Sequence, residues 1–547
     1  MLILDINKVS KDFGFGPIFE DLSFSLNEGE KISIIGSNGG GKSTLLKMIA
    51  QIEKCDGGTI SIKKNARVAY LDQTSPDQQD DRIVEEILRD GFAGLLKIEN
   101  EINRIYENMA TISDIEECNR MANRVSMLQQ KFQDDGGYEI DTEINMVCSG
   151  LLIREEMRYQ NYNSLSGGEK TLVHLAKGLL GKPDLFLLDE PTNHLDLKRI
   201  EWLENYIKTF KGAVVVVSHD RKFLDHVSSK LLEIDNGEAT VYNTNYSGYL
   251  IEKERRYNLL MENWAEQQAY FKRLEDRAKR MAQAGMATNS KVMTRKAGVM
   301  FARIEREKEK MSLKRLYKAR KFNIDFREQD KGGKNAIEVS HLKICTENGR
   351  MIVDDASFSV GVGERVFMIG NNGSGKTSIL KTILGEQELS YQGDIIVSPN
   401  VQLGYLPQII NFRNNKQQVL DYFQHEVGIG EERARSILFR FHFDQENVKK
   451  SVGNLSGGER IRLRLAVLMQ QSMNTLVFDE PTNHIDIPTR EALEEAIENF
   501  NGTLLVISHD RFFIDRFADK IIEIVNGKAT TYIGNYEDYQ TKKSGNM

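Results

Sequence analysis

The sequence repeats itself. Gly36-Ser37-Asn38-Gly39-Gly40-Gly41-Lys42-Ser43 returns 334 positions later as Gly370-Asn371-Asn372-Gly373-Ser374-Gly375-Lys376-Thr377. Gln73, after Ala69-Tyr70-Leu71-Asp72, returns 335 positions later as Gln408 after Gly404-Tyr405-Leu406-Pro407. Leu165-Ser166-Gly167-Gly168-Glu169 returns at Leu455 to Glu459, Asp189-Glu190-Pro191-Thr192-Asn193-His194 at Asp479 to His484, and Ser218-His219-Asp220-Arg221 at Ser508 to Arg511, all at an offset of 290. A repeat this long exceeds the periods of solenoid arrays and means a duplicated domain. The change of offset places 45 additional residues of the first copy between Gln73 and Leu165.

The repeated segments are those that handle phosphate. The pattern G-x-x-x-x-G-K-[ST] presents backbone N–H groups and a helix N-terminus to phosphate oxygens, with the lysine reaching the β and γ groups. Its glycines sit where the backbone turns tightly against the ligand. The predicted nucleotide contacts are therefore Gly36 to Ser43 with Thr44, and Gly370 to Thr377 with Ser378. Apolar runs Leu185 to Leu188 and Thr475 to Phe478 read as buried strands that deliver Asp189 and Asp479, the acids that help hold Mg²⁺ in a Walker B role. Glu190 and Glu480 follow them, where a carboxylate can orient or deprotonate an attacking water. ATP and Mg²⁺ are the expected cofactors, and ATP hydrolysis the expected reaction.

Composition bounds the rest. At 547 residues the chain is too long for a single core. Its 28% charged and 40% apolar residues are the balance of a globular protein. The apolar runs end within a few residues, far short of the roughly 18 to 20 needed to span a bilayer. The start, Met1 to Val9, alternates like an edge strand and lacks a basic segment followed by an apolar stretch. Cys55, Cys118, Cys148 and Cys345 show no paired spacing, which argues against a zinc site or a disulfide framework. A reducing cytoplasmic location is expected.

Two segments lack a counterpart. The 45-residue insert falls around 81–135, where Ile83, Ile87, Leu88, Met121, Val125 and Leu128 keep helical spacing, and reads as a helical arm. Between the copies, 246–334 reads as a helical hairpin linker. All eight prolines lie outside it, and Leu260, Trp264, Gln267, Phe271, Leu274, Ala278 and Met281 step by four and three as a coiled-coil seam. A turn is expected near Gln283 to Ser290, with a return helix over Lys291 to Lys321. Tyr270 and Phe271 read as seam or core residues. From Ile251 to Lys321, twenty Lys and Arg face nine Asp and Glu, so a segment of net +11 is joined to a remainder of −18. A one-signed basic segment on an acidic body is an electrostatic footprint for phosphate backbone. The arm differs: from Asp80 to Asp135 there are seven basic and thirteen acidic residues, which points to a basic protein and not to RNA.

These motifs in this order resemble the ATP-binding cassette superfamily, and the resemblance covers both cassettes, 1–245 and 335–547. It implies an α/β fold of two tandem P-loop cassettes that pair head to tail within one monomer. Ser166 and Gly168 would then cap the ATP held by Lys376, and Ser456 and Gly458 the ATP held by Lys42. It further implies that Gln73 and Gln408 see Mg²⁺ and water beside Ser43, Thr377, Asp189 and Asp479, that His219 and His509 touch the γ-phosphate, and that Asp196 and Asp486 form D-loops. Phe13 would stack on adenine in the first cassette, whereas His341 to Arg350 of the second holds no aromatic. Glu-Pro-Thr-Asn-His-[Leu/Ile]-Asp in both cassettes, glutamate as the fifth signature residue, the arm and the linker are together similar to the ABC-F family. That likeness implies a ribosome-binding switch, closed by ATP and reopened by hydrolysis, with the linker near tRNA and the peptidyl-transferase region. It leaves open a translation factor or ribosome protection against antibiotics. A transporter ATPase subunit, a DNA-repair ATPase and a regulatory scaffold are the rivals; the first leaves the +11 linker unexplained, the second would want cysteine pairs, and the third does not use two intact hydrolytic motifs.

Overall fold

A computed structural model describes the chain except residues 15, 38, 73–79, 111–113, 194, 236, 289, 311–333, 346–350, 387–389, 442, 472, 483, 484, 486, 546 and 547. Met1–Asn245 together with Phe322–Met547 forms one compact unit, and Tyr246–Lys321 forms another.

In the first cassette a six-stranded sheet runs in the order Val68–Leu71, Leu185–Asp189, Ala213–Val217, Lys31–Gly36, Lys230–Asp235 and Glu238–Tyr242. All pairs are parallel except the last. Leu185–Asp189 and Ala213–Val217 are buried along their whole length, which is why they read as unbroken apolar runs and not as alternating ones. The second cassette repeats this parallel order with Leu403–Leu406, Thr475–Asp479, Thr503–Ile507, Arg365–Gly370 and Lys520–Val525, followed by antiparallel Lys528–Ile533. Each cassette also has a three-stranded antiparallel sheet. In the second cassette this sheet joins the parallel one through Asp355 beside Lys528, making nine strands. In the first it stays separate, and the Glu20 amide donates to the Gly237 carbonyl across the gap at 3.1 Å. The fold is thus α/β with two tandem cassettes.

Within the insert, Val84–Arg89 does not join the arm. Val84, Ile87 and Leu88 are buried in the same core cluster as Leu172, Ala176 and Leu179 of the helix Gly167–Leu180. The arm itself is the pair Ala93–Met109 and Ile115–Asp134, closed by Ile102, Val125 and Phe132.

The second unit holds helices Tyr246–Ala287 and Lys291–Lys310, packed together through Phe271, Ala278 and Ile304, with Leu274, Met300 and Phe301 beside them. Three readings of this segment need correction. Leu260 is 38% exposed, while its neighbour Met261, three residues before the half-buried Trp264, is itself half-buried. Tyr270 is exposed, so only Phe271 of that aromatic pair is core. The turn starts later than Gln283: the first helix runs to Ala287 with Gly285 buried inside it, where a Cβ would stand 2.8 Å from Thr294 Oγ1. That glycine lets the two helices approach closely before the turn. Residues 311–321 of the expected return helix lie outside the described residues. Among the described residues no helix is long and apolar enough to cross a membrane.

Candidate functional site

Both phosphate loops link a buried strand to an eight-residue helix, Lys42–Ile49 or Lys376–Ile383. The residue before each helix, Gly41 (φ +85°) or Gly375 (φ +95°), is left-handed and pressed against the preceding hairpin. A Cβ on Gly41 would lie 2.2 Å from Ile18 Cγ2, so only glycine fits. Lys42 Nζ donates to the carbonyls of Gly36 and Ser37, both at 2.9 Å. Lys376 does the same to Gly370 and Asn371 at 2.8 and 3.0 Å. Both ammoniums are thereby held over their loops. Burial pulls the Lys376 pKa down, opposed by Glu480, Asp196 and Asp479. Asn38 lies outside the described residues.

The acids at the strand ends are buried and strained. Asp189 and Asp479 are each 1% exposed, and burial pushes both carboxyls upward. Thr377 Oγ1 donates to Asp479 at 3.3 Å. Among the described residues no donor meets the Asp189 oxygens in good hydrogen-bond geometry, although the Ser43 hydroxyl and Lys42 lie near enough to favour its charge. Buried carboxylate oxygens lacking a partner beside a hydroxyl form an oxygen-donor set that suits a hard divalent cation. Glu190 (φ +51°) and Glu480 (φ +48°) adopt the left-handed region, which costs a residue of this kind about 1–3 kcal/mol. The turn survives because their amides donate to Val217 and Ile507 at 2.9 Å. It aims each carboxylate at the histidine two residues past the neighbouring strand: His219 Nε2 lies 3.4 Å from Glu190 Oε1, and His509 Nε2 lies 3.4 Å from Glu480 Oε1. Burial raises Glu190 to about 7 against the pull of Lys42. Burial and Lys376 lower His509 to about 3, so its ring is neutral in ordinary buffers.

Ser166 and Ser456 cap the helices Gly167–Leu180 and Gly457–Leu468, and in each the third residue, Glu169 or Glu459, returns a bond to the serine amide. This capping box explains the glutamate that ends both signatures. One cavity of about 540 Å³ is lined by Ser166, Gly168 and Glu169 of the first cassette and Asn372 and Gly373 of the second. Another, of about 610 Å³, brings Glu190 and His219 together with Gly373 to Ser378, Gln408, Glu480 and His509. Gln73, His194, His484 and Asp486 lie outside the described residues. Phe13 is 52% exposed with Lys11 Nζ 5.0 Å above its ring. Met351, Ile352 and Arg490 also line the larger cavity, and the motifs gave no sign of them. Apolar Met351 and Ile352 immediately follow His341 to Arg350, which holds no aromatic.

A family model described as "ABC transporter" matches residues 19–193 and 353–483, and a second of that description matches 232–315. The protein YdiF of Bacillus subtilis (strain 168) is 36% identical over 545 residues, covering 100% of this chain and 83% of its own. ABC transporter F family member 5 of Arabidopsis thaliana is 31% identical, covering 98% and 77%. The chain belongs to the ABC-F family of ATP-binding cassette ATPases. Energy-dependent translational throttle protein EttA of Escherichia coli (strain K12) is 34% identical over 536 residues, 96% of this chain and 93% of its own. Among solved structures, archaeal ribosome recycling factor aABCE1 in complex with stalk protein aP1 has a TM-score of 0.64 at 17% identity, covering 98% of this chain and 92% of that one. That likeness concerns the fold. As an ABC-F protein the chain binds and hydrolyses ATP.

Proposed function

We propose that this ABC-F protein is a ribosome-binding ATPase whose cassettes close on two ATP molecules and reopen on hydrolysis, with the basic linker engaging RNA near the tRNA site. The observation that carries this reading is the segregation of charge: +11 over 251–321 against −18 elsewhere. Phosphate backbone attracts such a segment and competing salt weakens the attraction. A relative named as a translational throttle, alike over 96% of this chain, supports the same target. The acidic arm is assigned to a basic ribosomal protein by charge complementarity.

In this reading Gly36 to Thr44 and Gly370 to Ser378 cradle the phosphates, and Lys42 and Lys376 leave their loop carbonyls for the β and γ oxygens. The signature residues Ser166 and Gly168, and Ser456 and Gly458, approach the opposite cassette's nucleotide with helix N-termini that favour anions. Mg²⁺, held by Ser43, Asp189 and Gln73 or by Thr377, Asp479 and Gln408, would supply charge neutralisation at the β and γ oxygens. Glu190 and Glu480 accept or orient the proton of the attacking water, while neutral His509 and its counterpart His219 face the γ group. Phe13 stacks on adenine at the first site; at the second, Met351 and Ile352 offer apolar surface instead.

The test is the double variant Glu190→Gln/Glu480→Gln sedimented with ribosomes in ATP. Trapping on ribosomes, lost when Arg277, Lys279 and Arg280 are neutralised, is the expected result. A variant that binds ATP yet stays in the supernatant overturns the ribosome reading.

A further inference from the structure

Around the switch histidines the Ser-His-Asp-Arg motif and the buried glutamate of the preceding helix match at the 290 offset, while several positions between them differ. Glu204 of the helix Leu197–Thr209 corresponds to Glu494 of the helix Ile487–Glu498, and Arg221 to Arg511. These four buried residues exchange partners across the interface. Arg221 Nη1 donates to Glu494 at 2.9 and 3.1 Å, and Arg511 Nη1 donates to Glu204 at 3.2 Å. One of the differences lies four residues earlier on the same helices. Position 200 is isoleucine, 2% exposed; its counterpart, 490, is arginine, 5% exposed.

Arg490 is bound on three sides. Nη1 donates to the main-chain carbonyl of His219 in the first cassette and to Asp510 Oδ2, both at 2.7 Å, and Nη2 donates to the Thr482 carbonyl at 3.0 Å. One rigid fork therefore joins the first cassette's switch loop to the second cassette's switch loop and to the turn behind Glu480. A planar guanidinium spreads its donors over a rigid fork, whereas an ammonium gathers its three donors on one nitrogen at the end of a flexible stem. In the first cassette, isoleucine offers no such donor; Asp220 accepts from the Phe223 amide at 3.0 Å, and the nearest guanidinium in its ion pairs is Arg511 at 3.9 Å. A cassette can thus be built without the contacts to its own turn and aspartate. None of the three contacts has a counterpart in the first cassette, and one of them crosses to His219.

We propose that Arg490 is a positioning residue that makes the two ATP sites unequal: from the second cassette it fixes the His219 carbonyl, and through it the imidazole facing Glu190. Beyond the signature cap that both sites take from the opposite cassette, hydrolysis at the first site then depends on this additional contact, whereas the second site has no matching one. This rests on the reading of Glu190 and Glu480 as the residues that activate water.

The experiment uses single-site proteins. Glu480→Gln leaves the first site active and Glu190→Gln the second, and Arg490→Ile, which copies the first cassette, is added to each. Phosphate release should show kcat falling at least tenfold with KM for ATP within twofold in the Glu480→Gln background, and less than a threefold change in the Glu190→Gln background. Arg490→Lys keeps the charge and should fall by a similar factor in the first background across the pH range, which separates positioning from an electrostatic effect on Glu190. It also serves if the isoleucine variant fails to fold. Equal losses in both backgrounds, no loss in either, or full rescue by lysine would overturn the inference alone. If Glu190→Gln and Glu480→Gln each leave wild-type turnover intact, the reading of the glutamates falls and the inference with it.

Discussion

The two cassettes differ less in their motifs than in what holds those motifs. Both present a left-handed glutamate, a histidine 3.4 Å away and a lysine folded over its loop. Yet Arg490 is answered across the pseudo-symmetry by Ile200. Duplication preserved the chemistry of each site and left its surroundings free to diverge. Equal motifs therefore do not imply equal sites.

The largest effect should come from the glutamates. The Glu190→Gln/Glu480→Gln protein is expected to lose a factor of about 10²–10⁴ in steady-state phosphate release, the usual cost of losing a general base. If one single variant already shows the whole loss, the cassettes are not two working copies. Next come the exchanged arginines. Removing one partner of a buried pair strands the other charge and costs about 3–5 kcal/mol, so Arg221→Ala and Arg511→Ala should each lower the unfolding free energy read from urea titrations by a comparable amount. A much smaller loss in either would show that its bridge is not part of the folded protein in solution.

The phosphate-loop glycines sharpen the comparison at smaller scale. A left-handed alanine costs roughly 1–2 kcal/mol before any clash. Gly41→Ala should weaken ATP binding more than Gly375→Ala, because its Cβ would meet Ile18 Cγ2 at 2.2 Å and the other would meet Val353 Cγ2 at 2.7 Å. Equal nucleotide titrations would mean that both hairpins yield. The smallest effect is in pH. Burial raises Glu190 to about 7, and the protonated carboxyl cannot accept a proton, so kcat/KM of the Glu480→Gln protein should fall about tenfold per unit as pH drops below about 7. His509, lowered to about 3, should add no inflection between pH 5 and 9 in the Glu190→Gln protein. A flat first-site profile would remove Glu190 from the proton transfer.

The repeat, the phosphate loops, the buried strands and the family were legible in the sequence because each is written in residues a few positions apart. A loop's glycines or a strand's apolar run depends on its immediate chain neighbours. Even within that range the helical phase slipped at Leu260, since the steps of four and three can be laid down in more than one order. The left-handed turn of the glutamates was not legible, because glutamate carries no preference for it and the neighbouring strand imposes it. Arg221 with Glu494, Arg511 with Glu204, and Arg490 with the His219 carbonyl are 273, 307 and 271 positions apart. No local preference can pair residues at such separations. Only docking of one cassette on the other removes water from those charges and decides which acceptor each guanidinium meets.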